Sequence, residues 1–249
     1  MREVYFDFGG TLIVGSVPIL EMVVNTLKQD GNLEAVGGEE RVNRLYNKYV
    51  DRFGMPGFNE HARHIYFSDL ASFCPNPGEV VESLKKEEVK TLKTTQDNLQ
   101  GVLSKLSKDY ALGVVTEASV TEPVLGFLDL AGLKEMLPVV YGSSGRWELQ
   151  NGVYVQTDSW ESRAFSEDGF TKADGSLYRL MLEKGMAKLP ALMVGDNPVY
   201  DGVIPRNEGF DVLAYCSGRP QKRDEIIKLA EEHNIKIIER LEEVERYLK

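Results

Sequence analysis

The sequence predicts an α/β protein, in which a doubly wound parallel sheet carries an inserted, all-helical second domain. From Gln96 onward, short apolar strand patterns alternate with helical patterns, which is typical of parallel strands joined by right-handed crossovers. Residues 16–92 instead show helical patterns and no convincing strand. The chain has 249 residues, which is enough for a large core domain and this insertion.

The first strand is the apolar run Val4–Phe6, and Asp7 stands at its end. A carboxylate at the carboxyl end of a buried strand lies at the edge of an α/β sheet where ligands bind. Gly9 and Gly10 follow, and Thr11 adds a hydroxyl group. Two glycines permit a sharp turn with amides that point at an anion, although the same residues also suit an ordinary turn.

Four helices are predicted in the inserted segment. The first begins at Ser16 and ends before Gly31, and Met55-Pro56-Gly57 ends the second. Two more are expected from about Asn59 and over residues 79–92. We therefore assign residues 16–92 to the helical domain, and residues 1–15 and 93–249 to the core.

Strands and helices then alternate along the core. The expected helices span residues 98–106, 120–130, 174–184, 221–233 and 241–248, and the expected strands span residues 110–116, 139–141, 189–195, 211–216 and 236–238. Asn151-Gly152 predicts a hairpin with a type I′ turn. We interpret residues 143–168 as an insertion in the core, which is either a decorated edge or dimer contact, or a flap that faces substrate.

Four short motifs occur in a fixed order along the chain. They are FDFGGTL at residues 6–12, the strand Leu112–Thr116, Lys172, and the strand Leu192–Gly195 with Asp196 and then Asp201. This set resembles the motifs of the haloacid dehalogenase (HAD) superfamily, in its phosphatase-like branch with a helical cap. The resemblance covers nearly the whole chain and implies a Rossmann-like core with the cap at residues 16–92.

The resemblance implies a Mg²⁺-dependent hydrolase that acts on a small phosphorylated metabolite through an aspartyl-phosphate. Asp7 is then the nucleophile, and Lys172 reduces the repulsion between carboxylates and substrate. The implied metal ligands are Asp7, Asp196, Asp201 and the backbone carbonyl of Gly9. The residues expected to contact substrate are Gly10, Thr11, Thr116, Glu117, Lys172, His61 and His64.

Gly9 departs from the pattern, because phosphatases of this superfamily carry there a second aspartate that acts as acid and base. Glycine cannot transfer a proton. Either Glu117, or after it His61 or His64, replaces that acid, or the substrate has a good leaving group. The third explanation is a protein that binds a phosphorylated ligand and turns it over poorly or not at all. A metal site at His61 and His64 is a minor alternative, since no third ligand is evident.

Other branches of the superfamily also lack the second aspartate. The dehalogenases lack the acidic pair as well, so the presence of Asp196 and Asp201 favours a metal-dependent phosphoryl site. Phosphonate-cleaving relatives keep the metal and use a cap lysine as a Schiff base, for which the candidates here are Lys48, Lys85 and Lys86.

Charge and composition limit the expected partners. The formal net charge of -10 argues against non-specific nucleic-acid binding, and no apolar run is long enough to cross a membrane. Cys74 and Cys216 form no disulfide or metal pattern, so a cytoplasmic location is expected. The sequence does not identify the substrate or the oligomeric state. The cap residues considered for substrate selection are Tyr49, Arg52, His61, Arg63 and His64.

Overall fold

The computed structural model describes residues 2–15, 18–53, 60–116, 122–142, 145–160 and 170–248. The chain forms two compact units. One comprises residues 1–14, 94–120 and 128–249, and the other comprises residues 15–93 and 121–127. Compactness does not show that a unit folds alone, so the domain boundaries at residues 15/16 and 92/93 stay predictions.

The larger unit is built on one sheet of eight strands. The strands of the chain are β1 (Glu3–Phe6), β2 (Ile13–Gly15), β3 (Leu92–Thr94), β4 (Ala111–Val115), β5 (Val139–Gly142), β6 (Gly145–Gln150), β7 (Val153–Ser159), β8 (Ala191–Gly195), β9 (Asp211–Tyr215) and β10 (Lys236–Ile238). The large sheet has the order β10-β9-β8-β1-β4-β5-β6-β7, and β2 pairs with β3 separately. Every pair from β10 to β5 is parallel, whereas β6 and β7 join antiparallel. The expected α/β fold class is confirmed.

Strand β1 lies at the centre of the sheet, between β8 and β4. Its last three residues, Val4, Tyr5 and Phe6, are buried, as expected for a parallel strand that is covered on both faces. After β1 the chain first adds strands on one side of it, from β4 onward, and later adds β8 to β10 on the other side. Ligands bind at such a switch point in open α/β sheets.

The helices agree with the expected alternation, with shifts of a few residues at their ends. They are α1 (Ile19–Gln29), α2 (Gly38–Phe53), α3 (Glu60–Ala71), α4 (Pro77–Thr91), α5 (Leu99–Leu106), α6 (Glu122–Leu130), α7 (Ser176–Glu183), α8 (Ile204–Asn207) and α9 (Arg223–Glu232). In the described ranges, no helix is both long and apolar enough to span a bilayer.

The helix expected over residues 241–248 is present at the end of the chain. It spans Leu241–Tyr247 and is a 3₁₀-helix rather than an α-helix. Leu241 and Val244 are its two buried residues, and their spacing of three matches the three-residue turn of a 3₁₀-helix.

A hairpin of β6 and β7 extends the sheet beyond its parallel part. Asn151 and Gly152 have φ values of 51° and 80°, and both central residues of a type I′ turn need such positive values. Trp160 is buried after the hairpin and donates a hydrogen bond from Nε1 to the carbonyl of Gly142 at 3.2 Å. Residues 143–144 and 161–168 lie outside the described ranges, so the role of the insertion stays a prediction.

The smaller unit contains its own apolar core, in which Tyr66, Phe67 and Leu70 of α3 are fully buried. Two residues considered for substrate selection have partners within this unit. The Tyr49 hydroxyl donates to Asp69, and Arg63 Nε lies 2.5 Å from Oε1 of the buried Glu88. Both pairs hold α3 against a neighbouring helix.

Substitutions at two glycines, Gly113 in β4 and Gly126 in α6, test how tightly the central strands pack. A Cβ at Gly113 in β4 would lie 3.1 Å from the Tyr5 ring and 3.2 Å from the Val139 carbonyl oxygen, which is tighter than ordinary contact. A Cβ at Gly126 in α6 would meet only Val89, at 3.4 Å. We expect Gly113→Ala to lower the free energy of unfolding by about 1–3 kcal/mol through overpacking. Gly126→Ala should raise it by about 0.5–1 kcal/mol, because alanine favours the helix.

Urea denaturation of both variants beside the wild type measures these changes. Equal effects of the two substitutions would contradict the packing described for the central strands.

Candidate active site

Three polar residues follow three neighbouring parallel strands. Asp7, Thr116 and Asp196 come directly after β1, β4 and β8. The N–H of Asp7 donates to the carbonyl of Val194 at 2.9 Å, and the N–H of Thr116 donates to that of Tyr141 at 2.9 Å. These bonds extend the sheet ladder and fix the backbone of both residues at its carboxyl edge.

Asp201 joins Asp7 and Asp196 to form a buried cluster of carboxylates. Each of the three supplies one oxygen that lies within 4.8 Å of the others. Asp201 is on a π-helical turn, Pro198–Val203, which begins just after β8. Its side chain is 2% exposed, so its charge is almost fully removed from water.

Local geometry brings Asp201 back to the strand end. A Cβ at Gly195 would lie 2.2 Å from the Asp201 carboxylate, so only glycine leaves room for this approach. Asn197 begins the turn: its Oδ1 accepts from the N–H groups of Val199 and Tyr200, each at 3.1 Å. The Asn197 N–H in turn donates to Oδ2 of Asp201 at 3.1 Å.

Lys172 lies between two members of the cluster. Its Nζ is 2.6 Å from Oδ1 of Asp7 and pairs directly with Oδ1 of Asp201. The side chain is 3% exposed. Burial alone would lower the pKa of Lys172, but the charges of Asp201 and Asp7 outweigh burial and raise the pKa well above its ordinary value. Lys172 is therefore a permanent cation in this site.

A polar turn before α7 holds Lys172 in place. The Thr171 hydroxyl donates to Oδ1 of Asp174 at 2.9 Å, and the N–H of Ser176 donates to the same oxygen at 2.8 Å. The N–H of Thr171 donates to the Ser176 hydroxyl at 2.8 Å. These bonds fix the backbone on both sides of Lys172.

Burial also changes the titration of the other two carboxyl groups. It raises the pKa of Asp196 to about 7, and the charge of Asp7 adds to this effect while Arg219 opposes it. It raises the pKa of Asp201 to about 6, where Lys172 is the main opposing charge. Burial therefore makes the ionised forms of Asp196 and Asp201 less favourable than they would be in water.

Arg219 is a second cation at the cluster, and the sequence motifs did not indicate it. Its Nη2 donates to the carbonyl oxygen of Gly9 at 2.6 Å, and its Nε lies 2.8 Å from Oδ2 of Asp196. Arg219 follows the end of β9, which reaches the same edge of the sheet. That position was the available signal, since a strand was expected there.

The turn after β1 differs from the expectation in one respect. The N–H of Gly10 donates to the carbonyl of Ile13 at 2.7 Å, whereas the sequence suggested an amide that points at an anion. The expectation for this amide is wrong, because the bridge between Gly9 and Ile13 closes the turn on itself. The hydroxyl of Thr11 is buried and has no hydrogen-bond partner among the described residues.

Other expected site residues are placed only in part. Thr116 is buried at the end of β4. Glu117 lies outside the described residues, as do the side chains of His61 and His64, whose backbone belongs to α3. Their roles stay predictions.

The donor set fits a hard divalent cation. The three carboxylates could each offer one oxygen to an ion, and Mg²⁺ prefers oxygen ligands. The Gly9 carbonyl stays a predicted fourth ligand. Burial is the main reason why the pKa values of Asp196 and Asp201 are raised, and the nearby charge of Asp7 adds to it, so a bound cation would favour the ionised form of both groups.

Comparison with known proteins identifies the fold. By sequence, neither a protein family nor a curated protein matches this chain. Solved structures do match over most of their length. A 2-haloacid dehalogenase from Pseudomonas syringae shares 17% identity with a TM-score of 0.58, over 100% of this chain and 98% of that one.

Two further structures are similar. A predicted phosphoglycolate phosphatase from Haemophilus somnus shares 16% identity with a TM-score of 0.55, over 100% of this chain and 98% of that one. A protein from Bacillus subtilis, described as a HAD-hydrolase and solved bound to magnesium, shares 15% identity with a TM-score of 0.50, over 86% and 88% of the two chains. At sequence identities this low, the structural similarity establishes the fold alone. This chain has the fold of the haloacid dehalogenase superfamily.

Proposed function

We propose that this protein is a Mg²⁺-dependent hydrolase that cleaves the phosphoric monoester of a small metabolite through an aspartyl-phosphate. One observation carries the proposal: Lys172 is buried in contact with both Asp7 and Asp201, at the sheet edge where Asp196 also converges. The neighbour named as a predicted phosphoglycolate phosphatase and the neighbour solved with magnesium agree with this chemistry.

Asp7 is the proposed nucleophile. Lys172 binds Oδ1 of Asp7, so we assign the attack on phosphorus to Oδ2. The bond from phosphorus to the ester oxygen breaks, and an acyl phosphate forms on Asp7. Water then attacks that phosphorus, which releases inorganic phosphate and restores the carboxylate. Neither step changes an oxidation state.

Charge neutralisation is the main task of the other residues. A carboxylate that attacks a phosphate dianion meets strong repulsion, and fixed positive charge lowers that barrier. Lys172 supplies one such charge, and the hydroxyl of Thr116 is proposed to bind a phosphoryl oxygen. A bound Mg²⁺, held by Asp7, Asp196, Asp201 and the Gly9 carbonyl, would polarise the phosphoryl group.

The proton for the leaving group needs a separate source, since residue 9 is glycine. We propose Glu117 as that acid, with His61 or His64 as the second choice. General acid help of this kind contributes about 10²–10⁴-fold to a rate. A substrate with a good leaving group would need less of it.

A binding protein for a phosphorylated ligand is the second candidate. Two observations favour it: residue 9 has no acid, and Arg219 contacts both Gly9 and Asp196. Carbon–phosphorus cleavage has less support. Of the three cap lysines considered, Lys48 and Lys86 are exposed and Lys85 pairs with Glu82.

We expect Asp7→Asn to lower the hydrolysis of an aryl phosphate with Mg²⁺ by at least about 10³-fold, because the amide cannot form the acyl phosphate. Release of the phenolate measures the rate, with and without a chelator. Asp109→Asn, at an exposed aspartate, is the matched control and should keep full activity. Activity that survives in Asp7→Asn would refute the proposed nucleophile. A wild type that binds a phosphate analogue but hydrolyses no substrate would favour the binding protein.

Gly9→Asp tests the missing acid. A Cβ at Gly9 would make only ordinary contact, 3.5 Å from Nη2 of Arg219, so the position accepts a side chain. Since we propose that Glu117 already supplies the proton, we expect Gly9→Asp and Gly9→Ala to turn over unactivated alkyl phosphates at similar rates, as they do an aryl phosphate. Phosphate release from both substrate classes provides the comparison. A gain of about 10²–10⁴-fold for Gly9→Asp on the alkyl phosphates alone would show that the missing acid limits the natural protein, and would contradict Glu117 as the acid.

A further inference from the structure

The guanidinium of Arg219 contacts two of the oxygens that we assign to the proposed metal. Nη2 donates to the Gly9 carbonyl at 2.6 Å, and Nε lies 2.8 Å from Oδ2 of Asp196. Both groups belong to the donor set that we assign to Mg²⁺. Arginine stays protonated at any physiological pH, so this contact places a positive charge on the cluster in the metal-free protein.

The backbone around Arg219 is fitted to this contact. A Cβ at Gly218 would lie 1.7 Å from the carbonyl oxygen of Gly10, so only glycine allows the two loops to touch. Gly10 has φ of +89°, and a Cβ there would lie 2.3 Å from Nε of Arg219 and 2.2 Å from Oδ2 of Asp196. Gly10 therefore leaves the space in which the guanidinium lies, and Gly218 allows the loop that carries Arg219 to approach it.

Lys172 and Arg219, the two cations at the cluster, differ in how easily their side chains can move away from the carboxylates. Lys172 is 3% exposed and pairs with two buried carboxylates, so it is fixed. The side chain of Arg219 is 37% exposed and contacts the cluster from the solvent side. Its guanidinium can therefore move into water, where its charge is well solvated.

We propose that Arg219 is a resident counter-ion of the carboxylate cluster and that Mg²⁺ binds in competition with it, so that Arg219 sets the metal affinity of the site. The inference rests on the proposed metal-dependent function. A divalent ion and a guanidinium on the same two oxygens repel each other strongly in a buried site. Metal binding must then move Arg219 away from Gly9 and Asp196, and the cost of that movement weakens the apparent affinity for the ion.

Calorimetric titration with Mg²⁺ tests the proposal on the full chain, without any substrate. We expect Arg219→Met, which keeps much of the side-chain length and removes the charge, to bind Mg²⁺ at least about tenfold more tightly than the wild type. Arg223→Met is the matched control, because Arg223 pairs with Glu239 on the surface. Its affinity for Mg²⁺ should equal that of the wild type.

Thermal unfolding gives a second measurement on the same proteins. Without metal, Arg219→Met should unfold at a lower temperature than the wild type, since Asp196 loses its counter-ion. Saturating Mg²⁺ should raise the unfolding temperature of Arg219→Met more than that of the wild type. Arg219→Gln serves as a second variant that keeps a hydrogen-bond donor but no charge, and it should behave like Arg219→Met.

The outcomes separate this inference from the proposed function. Unchanged or weaker Mg²⁺ binding by Arg219→Met and Arg219→Gln would overturn the inference, even if the wild type is an active Mg²⁺-dependent phosphatase. Tighter binding that Asp196→Asn abolishes would support it, even if no phosphatase activity is found. Failure of every variant to bind Mg²⁺ would overturn both proposals.

Discussion

The site depends on one constraint, which is that three buried carboxylates share a small volume and need positive charge to stay there. Asp7, Asp196 and Asp201 come from the ends of two central strands and the turn that follows one of them. Burial of unpaired charge is costly, so such a cluster persists only with cations in contact. Lys172 supplies the fixed cation and Arg219 the exposed one.

The parallel sheet makes this convergence possible, and a few residues without charge complete it. Parallel strands end at a common edge, which brings residues 7 and 196 together although they are far apart in the chain. Gly195 then leaves the room that Asp201 needs, and Asn197 shapes the turn that carries it. A larger residue at position 195 would press directly on the Asp201 carboxylate and displace it from the cluster.

The alternation of strands and helices predicted the fold class, and a polar residue directly after a buried strand marked Asp7 and Asp196. The place of Lys172 beside them was implied only by the resemblance to the haloacid dehalogenase superfamily. Arg219 escaped prediction because its role comes from a contact across 210 positions, and its place after an expected strand was the one local signal for it. The Gly10 amide was misjudged for a similar reason: the sequence shows a flexible turn but not which carbonyl that turn will meet. The 3₁₀-helix at the end of the chain depends on the spacing of two buried residues, which an α-helical pattern also tolerates.

The charges of the cluster suggest an order of events at this site. Asp196, whose pKa is raised to about 7, is partly protonated at neutral pH, so three carboxyl groups and two cations leave a slightly negative net charge, between about -1 and 0, and a phosphate dianion that approaches first meets a like charge. A bound divalent ion makes the net charge of the site positive, as long as the Arg219 side chain stays nearby after its contacts with Gly9 and Asp196 break. We infer that a cation must enter before the phosphorylated ligand or together with it. The missing carboxylate at residue 9 fits this balance, because a fourth acid beside Arg219 would add negative charge where the dianion has to bind.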